Sequence, residues 1–168
     1  MPSRAALLKH PWGLLASGLG SGLSPFAPGT VGTAAALLVY LLLRPFGWMA
    51  LAAAALVGFV LGVRAADWVI HETGIDDPGV VVIDEWVGTW ITLLPVLVLW
   101  PALGFAPGIA VECALAFVAF RITDILKPWP ASWADRSVKG GFGAMLDDMI
   151  AGAYAALVLA LALRFVPT

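Results

Sequence analysis

The sequence predicts an all-α, multi-pass membrane helical bundle of four or five short helices, with its polar loops gathered on one face. Two observations carry that reading. Of the 168 residues, 61% are hydrophobic and 12% charged, and the mean hydropathy is +0.96. Soluble domains run nearer half apolar and a quarter charged, so a soluble core of this size has no room for so much apolar surface. The second observation is order: apolar runs at about 31–43, 46–63, 86–106, 108–120 and 149–163 alternate with polar segments. The length suits one domain covering residues 1–168.

The elements follow from the N-terminus. "MPSRAALLKHPWGLLASGLGSG" has basic residues and a short apolar patch, broken by Pro11 and several glycines, so it does not read as a signal peptide. The Gly/Pro-rich 17–30 leads into the first apolar run, where Thr30 or Thr33 is expected to cap a helix. Pro45 closes that run, and Pro101 and Pro107 fall near later joints, where a helix would stop. Small residues in "LAAAA" (51–55) and "AGAYAA" (151–156) allow close helix contact. Only the second and third runs approach the roughly 20 residues that a spanning helix needs.

Cys113 is the only cysteine. That excludes an intrachain disulfide and argues against a cysteine zinc site, so Cys113 reads as packing. His10 and His71 do not form a metal pair by spacing, and no nucleic-acid partner is expected.

Threading five helices puts the three polar segments (17–30, 64–85 and 121–148) on one side. Arg4, Lys9, Arg64, Arg121, Lys127, Arg136 and Lys139 lie there, leaving Arg44 and Arg164 opposite. Seven cations against two fit the positive-inside rule and place the polar segments in the cytoplasm. Ten of the eleven acids join them, Glu112 being the exception.

Two acidic pairs stand at the mouths of apolar helices: Asp84 with Glu85, and Asp147 with Asp148. One acid in a first helical turn is accounted for by capping and the helix dipole, worth about 0.3–1 kcal/mol. Two adjacent pairs exceed that need. Neighbouring helical residues point about 100° apart, so one of each pair can face a shared site while the other supports it. Asp84–Gly88 and Asp148–Gly152 also share an Asp-x-x-x-Gly pattern, which sets acid and glycine on one helix face and admits another backbone or a ligand.

Clustered carboxylates repel unless a cation or proton intervenes. With hard oxygen donors alone, the cation suited is Mg²⁺, which carboxylates commonly share with substrate phosphates. "FRITDILKPWP" (120–130) adds Arg121, Asp124 and Lys127 at steps of three, on a helix ending near Pro128. Asp124 can join the metal set while Arg121 or Lys127 holds phosphate oxygens; a pair of surface salt bridges is the plainer account. Trp129 and Trp133 suit the headgroup level. Arg136 and Lys139 can serve phosphate or anionic lipid. "SGLSPFAPGTVGT" (21–33) offers Ser24, Thr30 and a helix N-terminus to an anion, without matching the P-loop pattern.

Four strings, "GSGLSPFAPGTVGT", "DDPGVVVIDEWVG", "FRITDILKPWP" and "GGFGAMLDDMIAG", occur in that order between residues 20 and 152. Together they resemble the phosphatidylglycerophosphatase A family of bacterial membrane lipid phosphatases. The resemblance implies Mg²⁺-dependent removal of the terminal phosphate of phosphatidylglycerophosphate, at the inner membrane, with Asp84, Glu85, Asp124, Asp147 and Asp148 at the active centre. In that setting Asp84, Glu85 and Asp148 hold the ion and Asp147 helps protonate the leaving alkoxide. Attack by water and attack by an aspartate, with Asp124 as the nucleophile, both stay open.

Two rivals belong beside this reading. A Mg²⁺-dependent lipid phosphotransferase would use similar aspartates, but its longer Asp-Gly-x-x-Ala-Arg string is absent from the sequence. A cation-coupled transporter would place acids inside the membrane, yet only Glu112 lies away from the polar face. Symmetric dimers are common among oligomers, and nothing in the sequence selects or excludes one.

Overall fold

The structure is a computed structural model that describes residues 4–105 and 108–162. Eight α-helices and no strand occur among the described residues. Two are short and N-terminal: α1 (Arg4–Leu7) and α2 (Pro11–Ala16). Then come α3 (Pro28–Leu43), α4 (Gly47–Thr73), α5 (Ile83–Ala102), α6 (Ile109–Leu126), the short α7 (Ala131–Ser137) and α8 (Gly140–Ala162). Three stretches are long and apolar enough to cross a membrane: Pro28–Thr73, Ile83–Ala102 and Gly140–Ala162. The first contains both α3 and α4, separated by a 3₁₀ turn through Arg44, Pro45 and Phe46. At about 1.5 Å per residue, the 20 residues of α5 match a hydrocarbon layer of about 30 Å.

The direction of each long helix follows from its contacts. Gly29, at the start of α3, lies against Glu85 and Arg121, and the Trp90 indole N–H donates to the Ala36 carbonyl at 3.0 Å. Helices α3 and α5 therefore run parallel. Gly58 of α4 faces Val87 and Trp90, while Gly62 faces Ile83 and Met145, so α4 runs back between them. The starts of α3, α5 and α8 and the ends of α4 and α6 share one end of the bundle, as the threading predicts.

Where the ends fall differs from the sequence expectation. Helix α4 runs ten residues past its apolar run, to Thr73. The run expected at 149–163 begins at Gly140, because glycines 141 and 143 let the chain pack on Val63 and Val138 as helix. Asp147 and Asp148 thus lie two turns inside α8 and cap nothing. Neither Thr30 nor Thr33 caps α3. Ala27 is the cap residue, in a left-handed conformation with no side-chain cap bond, and the buried Thr33 hydroxyl donates to the Gly29 carbonyl. Pro101 lies in the last turn of α5 and Pro95 in its interior; Pro107 and Arg164 lie outside the described residues.

At the opposite end, Arg44 donates from Nε and Nη2 to the two oxygens of Glu112 at 2.8 and 2.7 Å. The buried Tyr40 hydroxyl donates to the same carboxylate at 2.9 Å. Glu112, the acid set apart in the sequence, is paired within the bundle, as a buried charge must be.

Helices α5 and α8 meet backbone to backbone. A side chain at Gly152 would strike the Gly88 backbone, and one at Gly88 would strike Phe120 and the Asp148 carbonyl. The Thr92 hydroxyl donates to the Gly88 carbonyl of its own helix and, across this contact, to the Gly152 carbonyl, and Thr123 of α6 donates to the Ala151 carbonyl. The crossing should not tolerate bulk. Gly152→Ala is expected to cost about 1–3 kcal/mol, read as a lower melting temperature in detergent, whereas the exposed neighbour Ala153→Leu should leave melting unchanged.

Candidate active site

The polar end of the bundle encloses a cavity of about 420 Å³. One side is the start of α3 (Pro28, Gly29) and the loop carrying Asp76, Asp77 and Gly79; the floor is α5 with Asp84 and Glu85. Helix α6 contributes Asp124 and Lys127. The α7–α8 region adds Asp135, Lys139 and, two turns along α8, Asp147 and Asp148.

The glycine crossing explains why the acids converge. Asp84 precedes Gly88, and Asp148 precedes Gly152, by one helical turn, so close approach at the glycines brings the carboxylates together on the polar side. Oxygens of Asp84, Glu85 and Asp148 lie within 4.8 Å of one another. Asp148 is 5% exposed, and Asp84 Oδ1 accepts the Glu85 backbone N–H at 3.0 Å. Glu85 Oε2 is buried without a hydrogen-bond partner. Three close carboxylates with a free buried oxygen form an all-oxygen donor set, which suits a hard divalent cation such as Mg²⁺. The wall as a whole points the same way. Eight carboxylates face two lysines there, so an anion would be repelled without added positive charge.

The cations are unevenly committed. Arg121 Nη1 lies 2.7 Å from Asp124 Oδ2, though its N–H bonds are not aligned on that oxygen; it also flanks Gly29 beside Glu85. Its side chain does not line the cavity. Lys127 ends α6 in a left-handed conformation and donates to Asp135 at 2.5 Å and to Asp147 at 2.6 Å. Burial alone would lower its ammonium, but those two carboxylates more than offset that and hold it above the ordinary lysine value.

Of the residues singled out in the sequence, the cavity gathers Asp84, Glu85, Asp124, Lys127, Lys139, Asp147 and Asp148. Ser24, Thr30 and Arg136 do not line it. The Ser24 hydroxyl donates to the Phe26 carbonyl at 2.7 Å, closing its own turn, and Arg136 is exposed in the last turn of α7. Asp76, Asp77 and Asp135 line the wall without having been singled out. The first two stand in the quoted string "DDPGVVVIDEWVG", which was a signal for them; Asp135 carried none.

The sequence model of the family described as phosphatidylglycerophosphatase A matches residues 14–163. The chain belongs to the phosphatidylglycerophosphatase A family. Phosphatidylglycerophosphatase A of Escherichia coli (strain K12) is 39% identical over 155 residues, covering 90% of this chain and 83% of that protein. The Haemophilus influenzae protein of the same name is 36% identical over 159 residues, covering 94% and 92%. A Bacteroides thetaiotaomicron protein, provisionally named a phosphatidylinositol-3-phosphatase, is 38% identical over 159 residues, covering 89% and 91%. No solved structure matches the chain. Membership in the phosphatidylglycerophosphatase A family makes the chain a phosphatase, and its membrane-length helices make it a membrane protein.

If the triad is a cation site, its empty form is held together against its own repulsion. Asp148→Asn should then raise the melting temperature in EDTA by a few degrees, and should abolish the further rise that Mg²⁺ gives the wild type. Destabilisation in EDTA would return Asp148 to a structural role.

Proposed function

We propose that the chain removes the terminal phosphate of phosphatidylglycerophosphate, giving phosphatidylglycerol and inorganic phosphate for phospholipid biosynthesis. The observation that carries this reading is the triad of Asp84, Glu85 and Asp148 within a polar cavity at one end of a membrane bundle. The family match and the two relatives named for this activity support the substrate. The relatives are bacterial, and the cations Lys9, Arg64, Arg121, Lys127, Arg136 and Lys139 belong to the segments at this end. Both facts support an inner-membrane protein with its site facing the cytoplasm.

The roles follow from position. Asp84, Glu85 and Asp148 would hold Mg²⁺, which offsets phosphoryl charge and makes water a better nucleophile. Arg121 balances Asp124 and Glu85 without lining the cavity and keeps their carboxylates turned to it. Asp124 is thereby engaged by a cation, which suits orienting a water better than attacking phosphorus. In hydrolysis the water oxygen bonds to phosphorus and gives a proton to Asp124, the bond to the glycerol oxygen breaks, and that oxygen takes a proton. The Lys127–Asp147 pair is placed at the wall to supply it. A transporter reading loses its intramembrane acid, since Glu112 is paired to Arg44 and Tyr40.

Detergent-purified protein should release phosphate from phosphatidylglycerophosphate with Mg²⁺ and not in EDTA. Asp84→Asn and Asp148→Asn should each lose at least about a hundredfold in rate, in the range removal of a main transition-state contact costs. No phosphate should remain on the protein after a quench with labelled lipid. Full activity in EDTA, or in either variant, would sink the metal role, and labelled protein would move the attack to an aspartate.

A further inference from the structure

The headgroup in the proposed reaction carries two anions: the terminal phosphate that leaves, and the phosphodiester one glycerol away that stays. A cation held by the triad would account for the first. The second also needs a partner, because the cavity wall is otherwise dominated by carboxylates.

Two lysines line the cavity. Lys127 is committed to Asp135 and Asp147. Lys139 has no hydrogen bond or ion pair among the described residues, and it is exposed while lining the cavity. Its position along the chain is nevertheless tightly fixed. Helix α7 ends with the Val138 N–H bonded to the Ala134 carbonyl at 2.9 Å, and Val138 is extended. After Lys139 the chain turns through Gly140 at φ +75, a conformation that favours glycine. The next amide, Gly141 N–H, donates to Asp67 Oδ1 of α4 at 2.6 Å. A side chain at Gly141 would strike Val63 and Asp67, so this anchoring allows no slack. Lys139 thus stands on a two-residue connector clamped at both ends. Gly140 and Asp147 are seven residues apart, so the lysine is rooted about 10 Å up α8 from the acids. Lys139 lines the same cavity as Asp147 and Asp148.

We propose that Lys139 holds the bridging phosphodiester of the headgroup, and so selects lipids that carry a phosphodiester one glycerol away from the terminal phosphate. The assignment rests on the headgroup-phosphatase reading above. Asp67 acts as a positioning residue through the Gly141 amide. An anion bound away from the reacting phosphorus contributes to the ground state and transition state alike, so its loss falls on KM.

The test compares wild type, Lys139→Ala and Lys139→Arg on phosphatidylglycerophosphate, with two inhibitors. Phosphatidylglycerol presents the diester alone, and inorganic phosphate presents the transferred phosphoryl group alone. Lys139→Ala should raise KM about tenfold, the scale of one charge-assisted contact. It should weaken inhibition by phosphatidylglycerol to match and leave inhibition by inorganic phosphate in place. Lys139→Arg should recover most of the loss. A fall confined to kcat, equal weakening of both inhibitors, or unchanged kinetics would overturn the assignment. If wild-type protein released no phosphate from this lipid, the functional reading itself would fail, and this assignment with it.

Discussion

The close contact of α5 with α8 at Gly88 and Gly152 is the constraint on which the rest of the site depends. Two parallel helices carrying side chains at their crossing would stand roughly 8–10 Å apart. Without side chains the backbones touch, and the carboxylates one turn above come within the span of a single ion. Phe120 of α6 closes against the same glycine, which carries Asp124 into the same layer. One contact between glycines therefore fixes the relative positions of acids from three helices. The threonine bonds from Thr92 and Thr123 to carbonyls of α8 hold that geometry in a medium that offers no water to compete.

The cluster built this way is electrostatically costly by itself. Its carboxylates are close, partly removed from water, and outnumber the lysines around them. The bundle tolerates this by tying the nearby cations to acids at the edge: Arg121 to Asp124, and Lys127 to Asp135 and Asp147. No salt bridge reaches the triad among the described residues; only Arg121, itself paired with Asp124, stands near Glu85, whose Oε2 keeps no hydrogen-bond partner. A neutralised periphery around an unbalanced centre is the arrangement that the proposed Mg²⁺ would complete. At the far end Glu112 is fully answered by Arg44 and Tyr40, and it needs nothing further.

The polar end also suits a lipid substrate. Trp129 is 75% exposed and Trp133 48%, and both lie beside α6 and α7 where amphipathic rings favour a headgroup layer. Large apolar side chains such as Ile125 and Leu126 are exposed next to the cavity-lining Asp124 and Lys127. Apolar surface and an acidic cavity thus adjoin at one rim. A molecule that stays in the bilayer by its chains can present its headgroup there without leaving the membrane.

Several features were determined by the sequence alone. Composition and the alternation of long apolar runs specify a helical membrane bundle, because lipid requires backbone polar groups to be satisfied in helices or closed barrels, and continuous apolar runs suit helices. The distribution of charge specifies one polar end. The Asp-x-x-x-Gly repeats specify acid and glycine on one face, since that follows from helical periodicity alone. Tertiary structure decided the rest. That Gly88 meets Gly152 is a contact between residues 64 positions apart, and no local pattern encodes it. Likewise, Arg121, Lys127, Arg136 and Lys139 look alike as charges in one segment. Only packing shows that Arg121 and Lys127 are tied to carboxylates, that Arg136 does not line the cavity, and that Lys139 lines it without a partner among the described residues. The start of α8 was misplaced for the same reason: "GGFG" has poor helical propensity, and its close packing on α4, with Asp67 receiving the Gly141 amide, makes it helix.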